Sequence, residues 1–171
     1  MRLMRNGVMG SVLVVGVLAA GCGQSEPAAP ASSTPAAAPA AAVADGRAIA
    51  IEANDTIKFN LTEIRATPGE RLSVTLVNVG SMPKFSMGHN FVVLSATADV
   101  QAFLKVAAES PTTDYIPASM KGDMLAATKL LGPGERDTVT FNAPSAPGRY
   151  EFLCSFPGHY QVGMKGVLIV E

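Results

Sequence analysis

Apolar and polar residues alternate with a period of two through most of the chain after residue 45. Leu72, Val74 and Leu76 interleave with Arg71, Ser73 and Thr75. Successive side chains of a strand point to opposite faces, so this stretch reads as a strand with one face buried. The same rhythm recurs at Ile49 and Ile51, at Ile57 and Phe59, at Val139 and Phe141, and at Tyr150, Phe152 and Cys154. Residues 91–94 read as a short buried run, and residues 167–170 as a closing strand. Pro68-Gly69, Gly132-Pro133-Gly134 and Ala146-Pro147-Gly148 mark turns between these runs. About seven to eight short strands punctuated in this way predict an all-β fold, a Greek-key β-sandwich. The alternation slips at Val77-Asn78-Val79, which marks either a bulge or the strand end. Over residues 97–110 the period changes. Val100, Phe103, Leu104 and Ala107 recur at helical spacing, which predicts a short helical insertion ended by Pro111. Residues 111–127 read as irregular, with room for another helical turn.

The alternating pattern occupies only part of the 171 residues. Residues 1–21 read as a lipoprotein signal peptide, with Arg2 and Arg5 before an apolar stretch over residues 12–20. That stretch is shorter than the roughly 20 apolar residues a spanning helix needs. It ends in Ala19-Ala20-Gly21-Cys22, which resembles a bacterial lipobox with Ala19 in the usual Leu place. Cys22 is then the lipidation site; the alternative is an ordinary cleaved signal that leaves Cys22 a free thiol. Residues 22–44 are mostly Ala, Pro and Ser, punctuated by Pro27, Pro30, Pro35 and Pro39. Such a segment cannot bury a core, and in an extended, polyproline-like form it reaches roughly 60 Å. It reads as a tether between an anchor and a folded domain over residues 45–171. These segments predict an exported protein held at a membrane by its lipid, facing the periplasm or the cell exterior. The net charge is −1 and no Lys/Arg run is present, so nothing points to nucleic acid.

Residues 154–164 read C-S-F-P-G-H-Y-Q-V-G-M. Cys154 ends a strand, His159 follows the Pro157-Gly158 turn, and Met164 opens the next strand. A thiolate, an imidazole and a thioether in one loop suit copper better than any other common metal. The chain has two histidines, and the other is His89, in Met87-Gly88-His89-Asn90. Two His, one Cys and a distant axial Met make up a blue-copper ligand set, and no histidine is left over. With both histidines engaged there is no Ser/His/Asp set, and no phosphate-binding Gly loop occurs, so no enzyme is predicted. A disulfide between the two cysteines, Cys22 and Cys154, would remove the thiolate.

The segments M-G-H-N-F-V-V-L and C-S-F-P-G-H resemble those of azurin-type cupredoxins, small blue-copper electron carriers. The resemblance covers most of residues 46–171, including residues 55–60, Thr128-Lys129-Leu130, residues 137–141 and Met164-Lys165-Gly166. Azurins carry one residue fewer between the last His and the Met than the four here, Tyr160-Gln161-Val162-Gly163. That longer loop, the missing azurin disulfide and the tethered N-terminus are more similar to the auracyanins. The resemblance implies one type 1 copper cycling between Cu(I) and Cu(II). His89, Cys154 and His159 would form its trigonal plane, with Met164 a weak axial ligand and the Gly88 carbonyl on the opposite side. It further implies that Asn90 stiffens the two ligand loops and that the Phe156 N–H lies near the sulfur. Met82, Pro83, Met87, Phe156 and Pro157 would form an apolar patch around the exposed edge of His159. Through this patch a monomer would dock transiently with redox proteins, such as cytochromes or a membrane oxidoreductase. The rival reading is an extracytoplasmic copper-handling protein, chaperone or scavenger. Met82, Met87, Met120 and Met124 could serve it as a Met-rich acquisition surface, although they lack a tight repeat.

Overall fold

Leu72, Val74 and Leu76 are fully buried, as their alternation requires, and their strand is the centre of one of two packed sheets. The computed structural model describes residues 46–171; the signal segment 1–21, Cys22 and the linker up to residue 44 lie outside the described residues. In chain order the elements are β1 (Arg47–Asn54), β2 (Lys58–Phe59), β3 (Glu63–Ala66), β4 (Arg71–Asn78), α1 (Lys84–Met87) and β5 (Val92–Leu94). They continue with α2 (Val100–Ala108), β6 (Met124–Ala127), β7 (Arg136–Asn142), β8 (Gly148–Leu153) and β9 (Lys165–Val170). The first sheet has the order β2-β1-β4-β7, and the second β3-β9-β8-β5-β6. β1 runs parallel to β4, β3 runs parallel to β9, and the other pairs are antiparallel. The inner faces share one apolar core, including Ile51, Leu72 and Phe141 from the first sheet and Val93, Phe152 and Leu168 from the second. Phe59, Phe91 and Phe152 form an aromatic cluster within it, with ring centroids 5.1–6.4 Å apart. Each such ring removed from water contributes roughly 1.5–3 kcal/mol.

The sandwich is as expected, with nine strands among the described residues rather than seven or eight. The two that the alternation did not reveal are β3 and β6. β3 offers only Ile64 and Ala66 to the core. β6 reads Met-Leu-Ala-Ala, a run of good helix formers that cross-strand pairing with β5 holds extended. Ile57 belongs to the turn before β2, not to the strand, and takes φ 59°, a rare conformation for a β-branched residue. No bulge interrupts residues 77–79. β4 stays in register with β1 up to Asn78 and then ends. The pattern slipped because Asn78 occupies the next core-facing position. Its buried amide donates to the Leu131 carbonyl at 3.1 Å and accepts from the Gly80 N–H at 2.9 Å.

The helical insertion also forms as expected. Asp99 caps α2 by accepting from the N–H groups of Gln101 and Ala102. Phe103, Leu104 and Ala107 pack with Val92, Leu94 and Leu153 in a second apolar cluster. β5 is therefore covered on both faces, which explains its unbroken apolar run.

Gly166 in β9 is a point where the packing has no slack. A Cβ there would overlap the Phe152 ring and stand 2.5 Å from the Thr62 carbonyl oxygen, a backbone atom that cannot yield cheaply. Gly166→Ala is expected to cost about 1–3 kcal/mol, the usual penalty of overpacking, read as a lower denaturant midpoint with unchanged slope.

Candidate metal centre

The end of β8 and the starts of β9 and β5 meet at one end of the sandwich. Cys154 follows β8 directly, and its N–H donates to the Met164 carbonyl at 3.1 Å. The Met164 N–H donates to the His159 carbonyl at 3.0 Å, and the His159 N–H to the Phe156 carbonyl at 3.1 Å. The eleven-residue loop is thus closed on itself before any side chain is considered. Its turns use Gly158 at φ 86° and Gly163 at φ 95°, the left-handed region glycine tolerates. Met164 stands one residue before β9 rather than in it.

His89 reaches the same end from the other side. A two-bond bridge with Leu131 fixes its backbone, at 3.1 and 2.8 Å. Gly88 is required beside it, since a Cβ there would lie 2.6 Å from the Lys84 carbonyl oxygen and 2.8 Å from the Leu130 side chain. Further back, the Asp55 carboxylate accepts from the Ser81 N–H and hydroxyl and from the Met82 N–H, which fixes the approach to α1. These bonds hold the Asp55 carboxyl below the usual carboxylate range.

One donor atom each from His89, Cys154 and His159 lie within 4.8 Å of one another. The Cys154 Sγ and His159 Nδ1 are 3.4 Å apart, and the two imidazole rings are 4.9 Å apart between centroids. His89, Cys154 and Met164 are 0% exposed, and His159 is 3% exposed. Burial lowers the pKa of both imidazoles. For His159, helped by the nearby His89, it falls to about 4. For His89 the Asp55 charge and the Asn54 carbonyl oppose the fall. Neither His89 ring nitrogen has a hydrogen bond of normal geometry, so the Asn54 carbonyl acts there as a nearby dipole. Both rings are therefore neutral at pH 7, with lone pairs free to bind metal. Burial pushes the Cys154 thiol up to about 12, against the N–H groups of Asn90 and Phe156, which favour the thiolate.

Two buried ring nitrogens without partners are costly in a folded protein unless something else satisfies them. A soft cation beside the Cys154 sulfur does so. One thiolate, two neutral imidazoles and a buried thioether fit one type 1 copper.

Asn90 binds the two ligand loops together. Its Oδ1 accepts from the Ser155 N–H at 2.8 Å, and its Nδ2 donates to the Ser155 Oγ at 2.8 Å. Its own backbone N–H points to the Cys154 sulfur, as does that of Phe156. Sequence reasoning identified Asn90 and Phe156 but not Ser155, which a strand-end serine gives no pattern to find. Asn90→Ala would leave the buried Ser155 N–H unpaired. The expected loss is about 1–3 kcal/mol of stability, measured by chemical denaturation of the metal-free protein.

The apolar surface differs in part from expectation. Met82 is 41% exposed, Pro83 and Pro157 are exposed, and Met87 is half-buried. Phe156 is buried rather than exposed, because its ring lies against His159 at a centroid distance of 4.6 Å. Phe85, 82% exposed on α1, was missed. It stands outside any alternating pattern, so nothing in the sequence marked it as unburied.

The family model described as "Copper binding proteins, plastocyanin/azurin family" matches residues 47–171. The chain is 37% identical over 132 residues to an azurin of Pseudomonas chlororaphis, covering 71% of this chain and 95% of that protein. It is 36% identical over 126 residues to outer membrane protein H.8 of Neisseria gonorrhoeae, covering 72% of this chain and 68% of that one. Among solved structures, the dithionite-reduced auracyanin of Roseiflexus castenholzii is 38% identical, with a TM-score of 0.61, over 72% of this chain and 96% of that one.

Proposed function

The chain belongs to the plastocyanin/azurin family of copper-binding proteins, and we propose that it is a blue-copper carrier of single electrons, exported and tethered to a membrane. The observation that carries the reading is the buried convergence of His89, Cys154 and His159 beside a buried Met164. Copper bound there supplies one-electron chemistry. The protein's part is to hold its donors still. Loop closure fixes Cys154 and His159, the Leu131 bridge fixes His89, and the Asn90–Ser155 bonds join the two loops. N–H groups of Asn90 and Phe156 aimed at the sulfur stabilise the thiolate and tune the potential. The buried Met164 would add a weak thioether donor to the copper, and the Gly88 carbonyl a further weak contact. Four buried donors leave no open position for a substrate, which favours a carrier over an enzyme.

Partners dock transiently on the exposed residues Met82, Pro83, Phe85 and Pro157, and the His159 edge is the electron exit. Redox proteins such as cytochromes or a membrane oxidoreductase fit a weak apolar contact of this kind. The test is electron self-exchange of the copper-loaded protein, followed by NMR line broadening during partial reduction. Fast exchange with the copper retained supports the carrier. Copper that passes readily to a mild chelator supports the copper-handling reading instead.

Tethering through Cys22 fits the architecture. β1 runs from Arg47 to Asn54, and the Asn54 carbonyl faces His89. Seven steps of about 3.3 Å put Arg47 roughly 23 Å from that end. Arg47, where the first described strand starts, thus lies at the end of β1 away from the metal centre. One relative is an outer membrane protein by name, which supports a site outside the cytoplasm. Cys22→Ser is expected to move the protein from the membrane fraction to the soluble fraction. Retention in the membrane fraction would remove the lipid anchor from the account.

A further inference from the structure

Two consecutive residues between α2 and β6, Asp114 and Tyr115, hold left-handed backbone at φ 59° and 58°. That conformation is unfavourable for residues with a Cβ and unusual for an aromatic one. It persists where surrounding contacts impose it, and such strain gathers at functional sites. Ser110 and Thr113 build the turn here. The Ser110 carbonyl accepts from the Tyr115 N–H at 3.0 Å, and the Thr113 carbonyl accepts from the Ile116 N–H at 2.9 Å. Ser110 is itself tied to the end of α2 through its hydroxyl, which donates to the Val106 carbonyl at 2.8 Å.

The strained turn aims two carbonyls and one ring at the metal centre. The Asp114 carbonyl accepts from the Asn90 Nδ2 at 2.9 Å. The Tyr115 carbonyl accepts from the Ser155 Oγ at 2.7 Å. The Tyr115 ring meets the Phe156 ring edge-on, with centroids 5.0 Å apart and planes at 65°. Phe156 in turn lies against His159. Asn90 follows His89, and Ser155 follows Cys154, so the turn grips both ligand loops one residue beyond a ligand.

We propose that the Asp114-Tyr115 turn is a positioning element of the copper centre, which clamps the two ligand loops together and holds Phe156 against His159. This rests on the copper reading given above. Carbonyl acceptors on a rigid turn fix the Asn90 amide and the Ser155 hydroxyl in one orientation. The ring blocks Phe156 from swinging away from His159. The insertion thus has a task beyond covering β5.

Four variants test this: Tyr115→Ala, Tyr115→Phe, Ser155→Ala, and Val74→Ala, which opens the core in the other sheet. Two quantities are read. One is amide exchange at Ser155 and His159 in the metal-free protein. The other is Cu(II) affinity by competition with a chelator. Tyr115→Ala is expected to speed exchange at both amides and to weaken copper binding about 10-fold or more, as loss of outer support for a metal site does. Tyr115→Phe should restore both. Val74→Ala should lower the melting temperature and change neither. If Tyr115→Ala lowers only the melting temperature, as Val74→Ala does, the turn is mere packing and the inference is overturned. Should Tyr115→Ala fail to fold, Ser155→Ala removes the bond to the Tyr115 carbonyl, and unchanged affinity there overturns it equally. Metal-free exchange decides the clamp even if wild-type protein binds no copper, a result that would sink the functional reading alone.

Discussion

Cys154→Ala is expected to abolish the intense visible absorption of the copper-loaded protein while leaving the sandwich folded. The colour arises from charge transfer between thiolate and Cu(II), and Cys154 is the one thiol at the centre. Affinity should fall by far more than the 10–100-fold that loss of an outer-shell partner costs, because an anionic ligand itself is removed. The fold survives, since a buried thiol packs as a small hydrophobe and its truncation costs on the order of 1 kcal/mol. A second readout separates the thiolate from the other ligands. Burial pushes the thiol up to about 12, so it is protonated at pH 7 in the metal-free protein. Copper must displace that proton, while both imidazoles are already neutral. Wild-type protein should therefore release about one proton per copper bound, and the variant none. Colour that persists in Cys154→Ala, or binding without proton release in the wild type, would contradict the assignment.

The metal-free protein should lose stability as the pH falls from about 6.5 towards 4. The folded-state pKa of His159 lies at about 4, below the ordinary value of 6.5, because the ring is buried. Above 6.5 neither state binds this proton, and the full stability is present. Between 6.5 and 4 the unfolded chain takes up a proton that the folded protein refuses, so the balance shifts to unfolding. Below about 4 both states are protonated, and the loss levels off. A difference of this size amounts to roughly 3 kcal/mol. His89 adds to the loss in the same direction, since burial also lowers its pKa. That is a large fraction of the 5–15 kcal/mol typical of a domain. Asp55, Glu70 and Glu135 have depressed pKa values, so their contribution is lost only as the pH falls below the ordinary carboxylate range, at the bottom of the histidine window and beyond. Urea midpoints of the metal-free protein at several pH values check this. His159→Gln should flatten the slope between 6.5 and 4, and an unchanged slope would contradict the burial argument.

The ligand set was legible because histidine and cysteine are rare in this chain. With two histidines and a Cys-to-Met loop, the chemistry of the donors narrows the choice to one metal. The main strands were legible because burial on one face imposes a period of two. Asn78 shows where that reasoning weakens. A polar residue at a core-facing position looks like a break, although the strand continues through it and the amide finds two partners. β6 escaped because its Ala and Leu residues favour helix in isolation, and only the neighbouring strand decides otherwise. The Asp114-Tyr115 turn was invisible for a different reason. Its contacts to the ligand loops run mostly through backbone carbonyls, which every residue carries. Phe156 marks the opposite error, an apolar residue assigned to the surface that the structure places against His159.

A single mononuclear copper, held by His89, Cys154, His159 and Met164, is expected to change oxidation state without leaving the protein. Titration of the metal-free protein with Cu(II), followed by visible absorption and then by a one-electron reductant, tests it most directly. An intense blue band is expected that saturates at one copper per chain, bleaches on reduction and returns on oxidation with the same copper in place. A colourless product, saturation at another ratio, or copper released on reduction would contradict it.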